Sequence, residues 1–172
     1  MCDVMRANKR CGVGLLALSL LLSLPASALA QIQERIGVLV FGASYHYQSR
    51  TYEDASGTKK YEQWNYGAGL EYVIHDGHRN LFTVEGGAYR DSQDNANIFG
   101  GPLWRFKFTD RFSAGIGVTL LTSPTYGGPA FAPLPVVTYR VNRVSINAVW
   151  LPSPDSSAIG FFATLHLSNK AK

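Results

Sequence analysis

Cysteine is scarce in this sequence of 172 residues, since it occurs only twice, as Cys2 and Cys11. The chain beyond Cys11 therefore has no disulfide, no thiolate nucleophile and no thiolate metal ligand to offer. A domain without crosslinks needs another source of stability, and a closed, hydrogen-bonded sheet is one that suits an exported protein.

A long apolar run is also absent. The longest one, at 13–24, is too short to cross a bilayer as a helix. Three basic residues precede it, namely Arg6, Lys9 and Arg10. Ala28-Leu29-Ala30 follows it with the small residues of a cleavage site at its first and third positions, and this order is typical of a secretory signal peptide. We therefore predict that residues 1–30 are cleaved and that Gln31 starts the mature protein; because Cys11 precedes the apolar run, a lipoprotein anchor is excluded.

A concentration of charge of one sign is the third feature that the sequence lacks. The predicted signal peptide holds three basic residues and one acidic residue, so its removal lowers the net charge from +4 to about +2. No stripe of lysine and arginine remains, which excludes a nucleic-acid partner. Residues 31–172 have the length of one domain.

Alternation with a period of two dominates the rest of the chain. One face of the segment at 64–74 is apolar and aromatic, with the residues Trp64, Tyr66, Ala68, Leu70, Tyr72 and Ile74. The residues between them are mostly small or polar. The alternation recurs at 112–121, 144–151 and 159–167. An apolar outer face with a polar inner face is typical of a transmembrane β-barrel.

Eight segments have a composition and length that suit strands of such a barrel. They are 36–47, 61–74, 80–91, 98–108, 112–121, 133–141, 144–151 and 158–167. Short connections alternate with longer ones that are rich in Gly, Pro, Ser and Asp, as in proteins with periplasmic turns and external loops. We predict an all-β fold, an eight-stranded antiparallel transmembrane β-barrel in the bacterial outer membrane, and we expect a monomer.

The predicted lumen is narrow and mixed in character. Val38, Val40, Val149 and Phe162 are expected to line it, together with several glycines that leave space for an acyl chain or relieve crowding. Charged and polar side chains are expected to form a paired structural floor, because unpaired charges are costly to bury. These residues are Glu71, Glu85, Arg105, Lys107 and His166.

Three residues are predicted to meet at the outer rim of the barrel. His46 ends the first strand, while Asp91 and Ser92 end the third, so a histidine, a carboxylate and a hydroxyl share one mouth. Such a set suits acyl transfer. Neighbouring residues of a regular strand face opposite ways, so Asp91 and Ser92 both point inward only if the strand breaks there. By contrast, His75 and His78 lie in a short turn without a third metal ligand.

At this point the sequence resembles the outer-membrane lipid A palmitoyltransferase family, PagP. The resemblance covers roughly 40–167 and includes the segment from His46 through Tyr61-Glu62-Gln63-Trp64 to Gly67-Ala68-Gly69, and Tyr89-Arg90-Asp91-Ser92. Near the C-terminus it includes Pro133-Leu134-Pro135-Val136 and Trp150-Leu151-Pro152.

The resemblance implies transfer of a palmitoyl chain from a phospholipid to a hydroxyl of lipid A, without a cofactor or metal. It assigns catalysis to His46, Asp91 and Ser92, and a lateral gate for phospholipid to Pro133 and Pro152. The floor that sets acyl length falls within Gly100, Gly101, Pro102 and Leu103.

The sequence also departs from the family's pattern. No N-terminal amphipathic helix is evident, and Phe41 and Gln63 stand where the family has the prolines of a second opening. Three alternatives stay open. They are a non-catalytic structural or adhesive barrel, a soluble lipocalin-like carrier, and a lipid A deacylase, which His166-Leu167-Ser168-Asn169 resembles in its motif.

Overall fold

The computed structural model describes residues 35–152 and 157–168. The predicted signal peptide, its cleavage site and Asn169 lie outside the described residues. Within the described part of the chain, no helix is long and apolar enough to span a membrane.

The chain forms ten strands and one short 3₁₀ turn. Eight long strands build the main sheet: β1 (Ile36–His46), β4 (Trp64–Asp76), β5 (Asn80–Arg90), β6 (Ala96–Lys107), β7 (Phe112–Leu121), β8 (Ala130–Val141), β9 (Val144–Leu151) and β10 (Ala158–His166). The 3₁₀ turn spans Pro124–Tyr126. Two short strands, β2 (Thr51–Asp54) and β3 (Gly57–Lys60), form a separate hairpin.

The main sheet is a closed antiparallel barrel in which each long strand pairs with its neighbour in sequence and β1 also pairs with β10. Closure gives every long strand a hydrogen-bonded neighbour on both sides over at least part of its length, as strands surrounded by lipid require. The predicted eight-stranded antiparallel barrel is therefore confirmed.

The two ends of the barrel differ. Short turns join β4 to β5, β6 to β7 and β8 to β9 at one end, which we call the turn end. The longer connections, including the β2–β3 hairpin, gather at the other, which we call the loop end. The hairpin was not predicted, because 48–60 was interpreted as loop. Its turn is held by the Asp54 carboxylate, which accepts hydrogen bonds from the amide and hydroxyl of Ser56 at 2.7 and 2.6 Å.

The outer face of the barrel is apolar and aromatic, as the alternation predicts. Tyr66, Leu70 and Ile98 are 69, 58 and 64% exposed, whereas the polar side chains of Asn97 and Asn147 are fully buried in the lumen. This arrangement inverts that of a water-soluble protein and suits a lipid environment.

A β-bulge interrupts β1 at Gly42, where the register with both neighbouring strands shifts between Phe41 and Ala43. Before the bulge Leu39 is fully buried, while Val40 is 52% exposed. The predicted inward orientation of Val38 and Val40 is therefore wrong. The extra residue reverses the alternation, so His46 beyond the bulge is buried as predicted.

The lumen contains two layers. In the middle of the barrel Phe41 packs on Tyr89, Phe99 and Phe162 with ring centroids 5.1–5.2 Å apart. Nearer the turn end, one guanidinium nitrogen of Arg105 lies 2.8 Å from a Glu71 carboxylate oxygen and 2.6 Å from one of Glu85. The predicted polar floor is thus present, although Lys107 pairs with Asp76 outside this cluster.

Candidate active site at the loop end of the barrel

A cavity of about 300 Å³ lies inside the loop-end half of the barrel. Its walls are largely apolar and include Phe41, Tyr89, Phe99, Leu121, Val149 and Phe162. His46, Asp91 and Ser92 all line it. The structure therefore brings the three predicted site residues to one cavity, although they come from the ends of two strands that are not neighbours.

His46 is the last residue of β1 and is held by the ring of Tyr61, which lies between the β2–β3 hairpin and β4. The rings of His46 and Tyr61 are stacked with centroids 4.0 Å apart and an angle of 1° between their planes. The ring of Tyr52 in β2 packs in turn on the ring of Tyr61, with the two ring centroids 5.0 Å apart. Tyr61 belongs to one of the motifs that resemble the family, but the sequence predicted no place for it in the site. Tyr61 was predicted to start the strand segment 61–74, but β4 begins at Trp64, so strand alternation does not apply to Tyr61 and could not reveal this stacking.

Ser92 is tied to the same segment as Tyr61. The backbone carbonyl of Ser92 accepts a hydrogen bond of 2.8 Å from the amide of Glu62. One step further along β4, the side-chain amide of Asn65 donates to the carbonyl of Arg90 at 3.0 Å. Segment 61–65 therefore links the histidine to the strand end that carries the serine.

The strand break that the sequence required occurs at the predicted position. β5 ends at Arg90, and residues 91–95 form a turn in which the amide of Asp94 donates to the carbonyl of Asp91 at 3.0 Å. Because the regular alternation stops there, Asp91 and Ser92 both line the cavity. Asp91 is only 4% exposed, and its carboxylate accepts hydrogen bonds from two loops.

The wall of the barrel has an unpaired seam beside this cavity. Pairing between β8 and β9 runs from Val136–Val149 to Val141–Val144 at the turn end. Beyond it, residues 130–135 pair with β7, and residues 150–151 pair with β10. Pro133 lies in the β8 edge of this seam and Pro152 follows the β9 edge. Proline has no N–H to contribute to a ladder.

Residues from both edges of the seam line the cavity. Ala132 and Leu134 from β8, and Val149, Leu151 and Pro152 from the opposite edge, all line the cavity. The unpaired stretch between β8 and β9 therefore borders the cavity directly.

The seam between β1 and β4, where the sequence lacks the prolines of the family's second opening, is paired. Phe41 is opposite Gly67 in the register, and the carbonyl of Gln63 accepts a hydrogen bond of 2.8 Å from the amide of Ser44.

The four residues predicted as the acyl floor lie in β6 and do not line the cavity. Gly101 is paired with Glu85, which does line it. A side chain at Gly101 would collide with the carbonyl of Val118 on β7, so this glycine permits close approach of two strands. Glu85 and the rings of Phe99 and Phe162 are among the residues that do line the cavity.

A second, polar cleft of about 870 Å³ lies outside the barrel, against the β2–β3 hairpin. It is lined by Tyr52, Asp54, Lys59, Lys60, Glu62, Gln93, Asp94 and Asn95. Gln93, next to Ser92, lines both this cleft and the apolar cavity. The apolar cavity and the polar cleft therefore lie next to each other and share Gln93.

The alternative deacylase motif lies at the opposite end. The His166 ring nitrogen Nε2 is 2.8 Å from the hydroxyl of Ser145 inside the lumen. In 35–152 and 157–168, no group of three or more His, Cys, Asp or Glu side chains is arranged to hold a metal ion.

Comparison with known families gives one result. A family model described as "Antimicrobial peptide resistance and lipid A acylation protein PagP" matches residues 29–164, which include all the long strands up to β10 and every residue of the loop-end site. No curated protein gives a significant match to the chain.

Proposed function

Because the chain belongs to the PagP family of outer-membrane lipid A acylation proteins, we propose that it transfers a palmitoyl chain from a phospholipid to a hydroxyl of lipid A. One observation carries this proposal. An apolar cavity borders the unpaired β8–β9 seam and has His46 and Ser92 in its lining, beside a polar cleft.

The cavity suits a single acyl chain. Its volume of about 300 Å³ is roughly twice that of a dry 150 Å³ cavity that binds one benzene molecule. The donor phospholipid would enter from the outer leaflet between Pro133 and Pro152, with its ester near His46. Burial of each methylene is worth about 0.8 kcal/mol, which supplies the affinity for the chain.

The site residues supply acid–base chemistry without a cofactor. The His46 imidazole would take the proton of the lipid A hydroxyl as its oxygen attacks the ester carbonyl of the phospholipid. The Ser92 hydroxyl would donate a hydrogen bond to the oxyanion of the tetrahedral intermediate. When the original ester bond breaks, His46 would return the proton to the leaving lysophospholipid. Asp91 completes the predicted set.

The polar cleft supports binding of the acceptor. Lipid A carries a phosphorylated sugar head, and the cleft offers cationic, carboxylate and amide groups together with the ring of Tyr52. Lys59 is already paired with Asp54 at 2.5 Å, so Lys60 is the lysine of this cleft that is better able to meet a phosphate.

The test is mass spectrometry of lipid A after incubation with the purified barrel in vesicles that contain a palmitoyl phospholipid. Gain of one acyl chain by wild type, and its loss in His46→Ala but not in the turn-end control His75→Ala, supports the proposal. Loss of an acyl chain from lipid A would identify a deacylase. Unchanged lipid A with folded protein would favour a non-catalytic barrel.

A further inference from the structure

The Asp91 carboxylate is held by four hydrogen bonds, which divide between its two oxygens. Oδ1 accepts from the backbone amides of Gln93 and Asn95, both at 2.9 Å. Oδ2 accepts from the hydroxyl of Thr125 at 2.7 Å and from the hydroxyl of Ser123. Asp91 and Ser123 are 4 and 0% exposed. Two loops that are about thirty residues apart in sequence thus meet at one buried carboxylate.

These four bonds use the acceptor capacity of the carboxylate. An ionised Asp has two oxygens with about four lone-pair sites in all. An aspartate that orients a catalytic histidine uses one of those sites to accept the ring N–H. The sites of Asp91 are filled by Gln93, Asn95, Ser123 and Thr125, so the carboxylate is directed at the loops.

The bonds around Asp91 form a clasp, by which we mean residues 91–95 together with Ser123 and Thr125. Asn95 strengthens it, because its side-chain amide donates to the Thr125 hydroxyl at 3.1 Å and its carbonyl accepts from the Asp91 amide at 2.9 Å. Ser123 also caps the 3₁₀ turn by accepting the amide of Thr125 at 3.2 Å. The β7–β8 loop is therefore fixed to the turn that contains Ser92.

The clasp determines where Ser92 lies. On one side the Ser92 carbonyl is held by the amide of Glu62, and on the other side Ser92 is bonded covalently to Asp91. Release of Asp91 from Ser123 and Thr125 would free the turn while leaving His46 stacked on Tyr61. The effect of losing the clasp should thus fall on the hydroxyl of Ser92 and not on the imidazole.

We infer that Ser123 and Thr125 are positioning residues for acyl transfer, and that Asp91 acts through them to place Ser92 rather than by polarising His46. This inference rests on the proposed function for its kinetic consequence, but the clasp itself is testable without activity.

The experiment compares wild type with Asp91→Asn, with the double variant Ser123→Ala/Thr125→Val and with the triple combination. Asn at position 91 keeps an oxygen for the two amides but has no charge, and its NH₂ group can only donate to the two hydroxyls, which reverses these bonds and makes them neutral. Thr125→Ser retains the hydroxyl and serves as the conservative rescue. Thr109→Val removes a hydroxyl that accepts the Phe112 amide at 2.9 Å at the turn end and is the matched control.

The kinetic readouts are kcat, KM and the pH profile of palmitoyl transfer to lipid A in vesicles. The double variant should lose about 10- to 100-fold in kcat with little change in KM, since hydrogen bonds to a charged group are strong. Asp91→Asn should lose a similar factor, and the triple variant no more. The pH profile should stay as in wild type, and Thr125→Ser and Thr109→Val should remain near wild-type activity.

Amide hydrogen exchange in detergent gives the second readout. Residues 91–95 and 122–127 should exchange faster in both Asp91→Asn and the double variant, and this result does not depend on any activity. A wild type that transfers no acyl chain would overturn the proposed function alone. Unchanged exchange in the variants would overturn the clasp. If the double variant is fully active and Asp91→Asn has a shifted pH profile, the inference is wrong and Asp91 acts by polarising His46.

Discussion

The two ends of the lumen carry the same types of residue in different settings. At the turn end, Ser145, His166 and Glu71 lie in a row, with the His166 ring 2.8 Å from Ser145 and 3.9 Å from Glu71. At the loop end, His46, Asp91 and Ser92 share a cavity with a volume of about 300 Å³. Neither Ser145 nor His166 lines either described cavity. A row of side chains of suitable types is therefore not sufficient for catalysis, because a substrate must also be able to reach them.

The largest expected effect is on catalysis at the loop end. His46→Ala should lower lipid A acylation by about 10²- to 10⁴-fold, the usual cost of losing a general base, while the barrel still folds. The measurement is the initial rate of palmitoyl transfer, with folding checked by heat-modifiable gel mobility. If His46 and Ser92 act as one unit, His46→Ala/Ser92→Ala should be no worse than the worse single variant. Near-normal acylation by folded His46→Ala protein would refute the assignment.

The next effect is on stability at the turn end. Arg105→Ala leaves Glu71 and Glu85 without their cation in the lumen, and loss of one partner of a buried pair costs about 3–5 kcal/mol. Unfolding in urea in the presence of detergent should show this loss. Lys107→Ala is the control, because its partner Asp76 is half exposed and such pairs contribute about 0–1 kcal/mol. Equal losses in both variants would contradict the larger contribution assigned to the buried cluster of Arg105, Glu71 and Glu85.

A moderate effect is expected at the seam. Pro133→Ala together with Pro152→Ala returns two N–H groups to strands that face each other there, which favours extension of the β8–β9 ladder. One added hydrogen bond of about 1 kcal/mol would slow entry of the phospholipid about fivefold. We expect this change in kcat/KM for the phospholipid, with the dependence on lipid A unaltered. Faster entry, or a change confined to lipid A, would place the gate elsewhere.

A small effect on activity is expected for His166→Ala. The side chain belongs to the floor, so acyl transfer should stay within a few fold of wild type even if some stability is lost with the Ser145 contact. Complete inactivity of a well-folded His166→Ala barrel would revive the deacylase motif and remove the contrast between the two ends.

The smallest effect is expected in the exposed hairpin. The side-chain hydrogen bond from Lys59, together with those from Ser56, lowers the pKa of Asp54 to about 2. A lowered pKa in the folded state means that the contribution is present above the usual pKa and is lost as the pH falls through about 2. Hairpin order should therefore be constant from neutral pH down to about 4. Lys59→Ala should raise the Asp54 pKa, measured by NMR titration.

The fold was predictable because lipid imposes a simple rule on every strand. Alternation alone located all eight long strands, and each of the eight segments starts and ends within three residues of the strand observed. The bulge at Gly42 could not be read from alternation, since both Val40 and Leu39 are apolar and either suits lipid. The hairpin was missed because its short polar strands carry no apolar face.

The candidate site was predictable only in part. Topology and the family resemblance brought His46, Asp91 and Ser92 to one rim, and the prolines marked the seam. The roles of Ser123 and Thr125 had no signal in the sequence, because a hydroxyl in one loop that bonds a carboxylate in another follows no period. The packing of Phe41 on Phe99 and Phe162 was also not predicted, since the alternation placed Val40 and not Phe41 in the lumen.

The unpaired segment between β8 and β9 has a mechanical meaning as well. A closed barrel resists mechanical separation because every strand is hydrogen-bonded to two others. In this barrel several of these hydrogen bonds are absent at one place, between β8 and β9. Under force applied to the loop end, separation would begin at Pro133 and Pro152 and run toward the turn between Val141 and Val144. The proposed entry route for the phospholipid is thus also the line along which the barrel wall would separate under force.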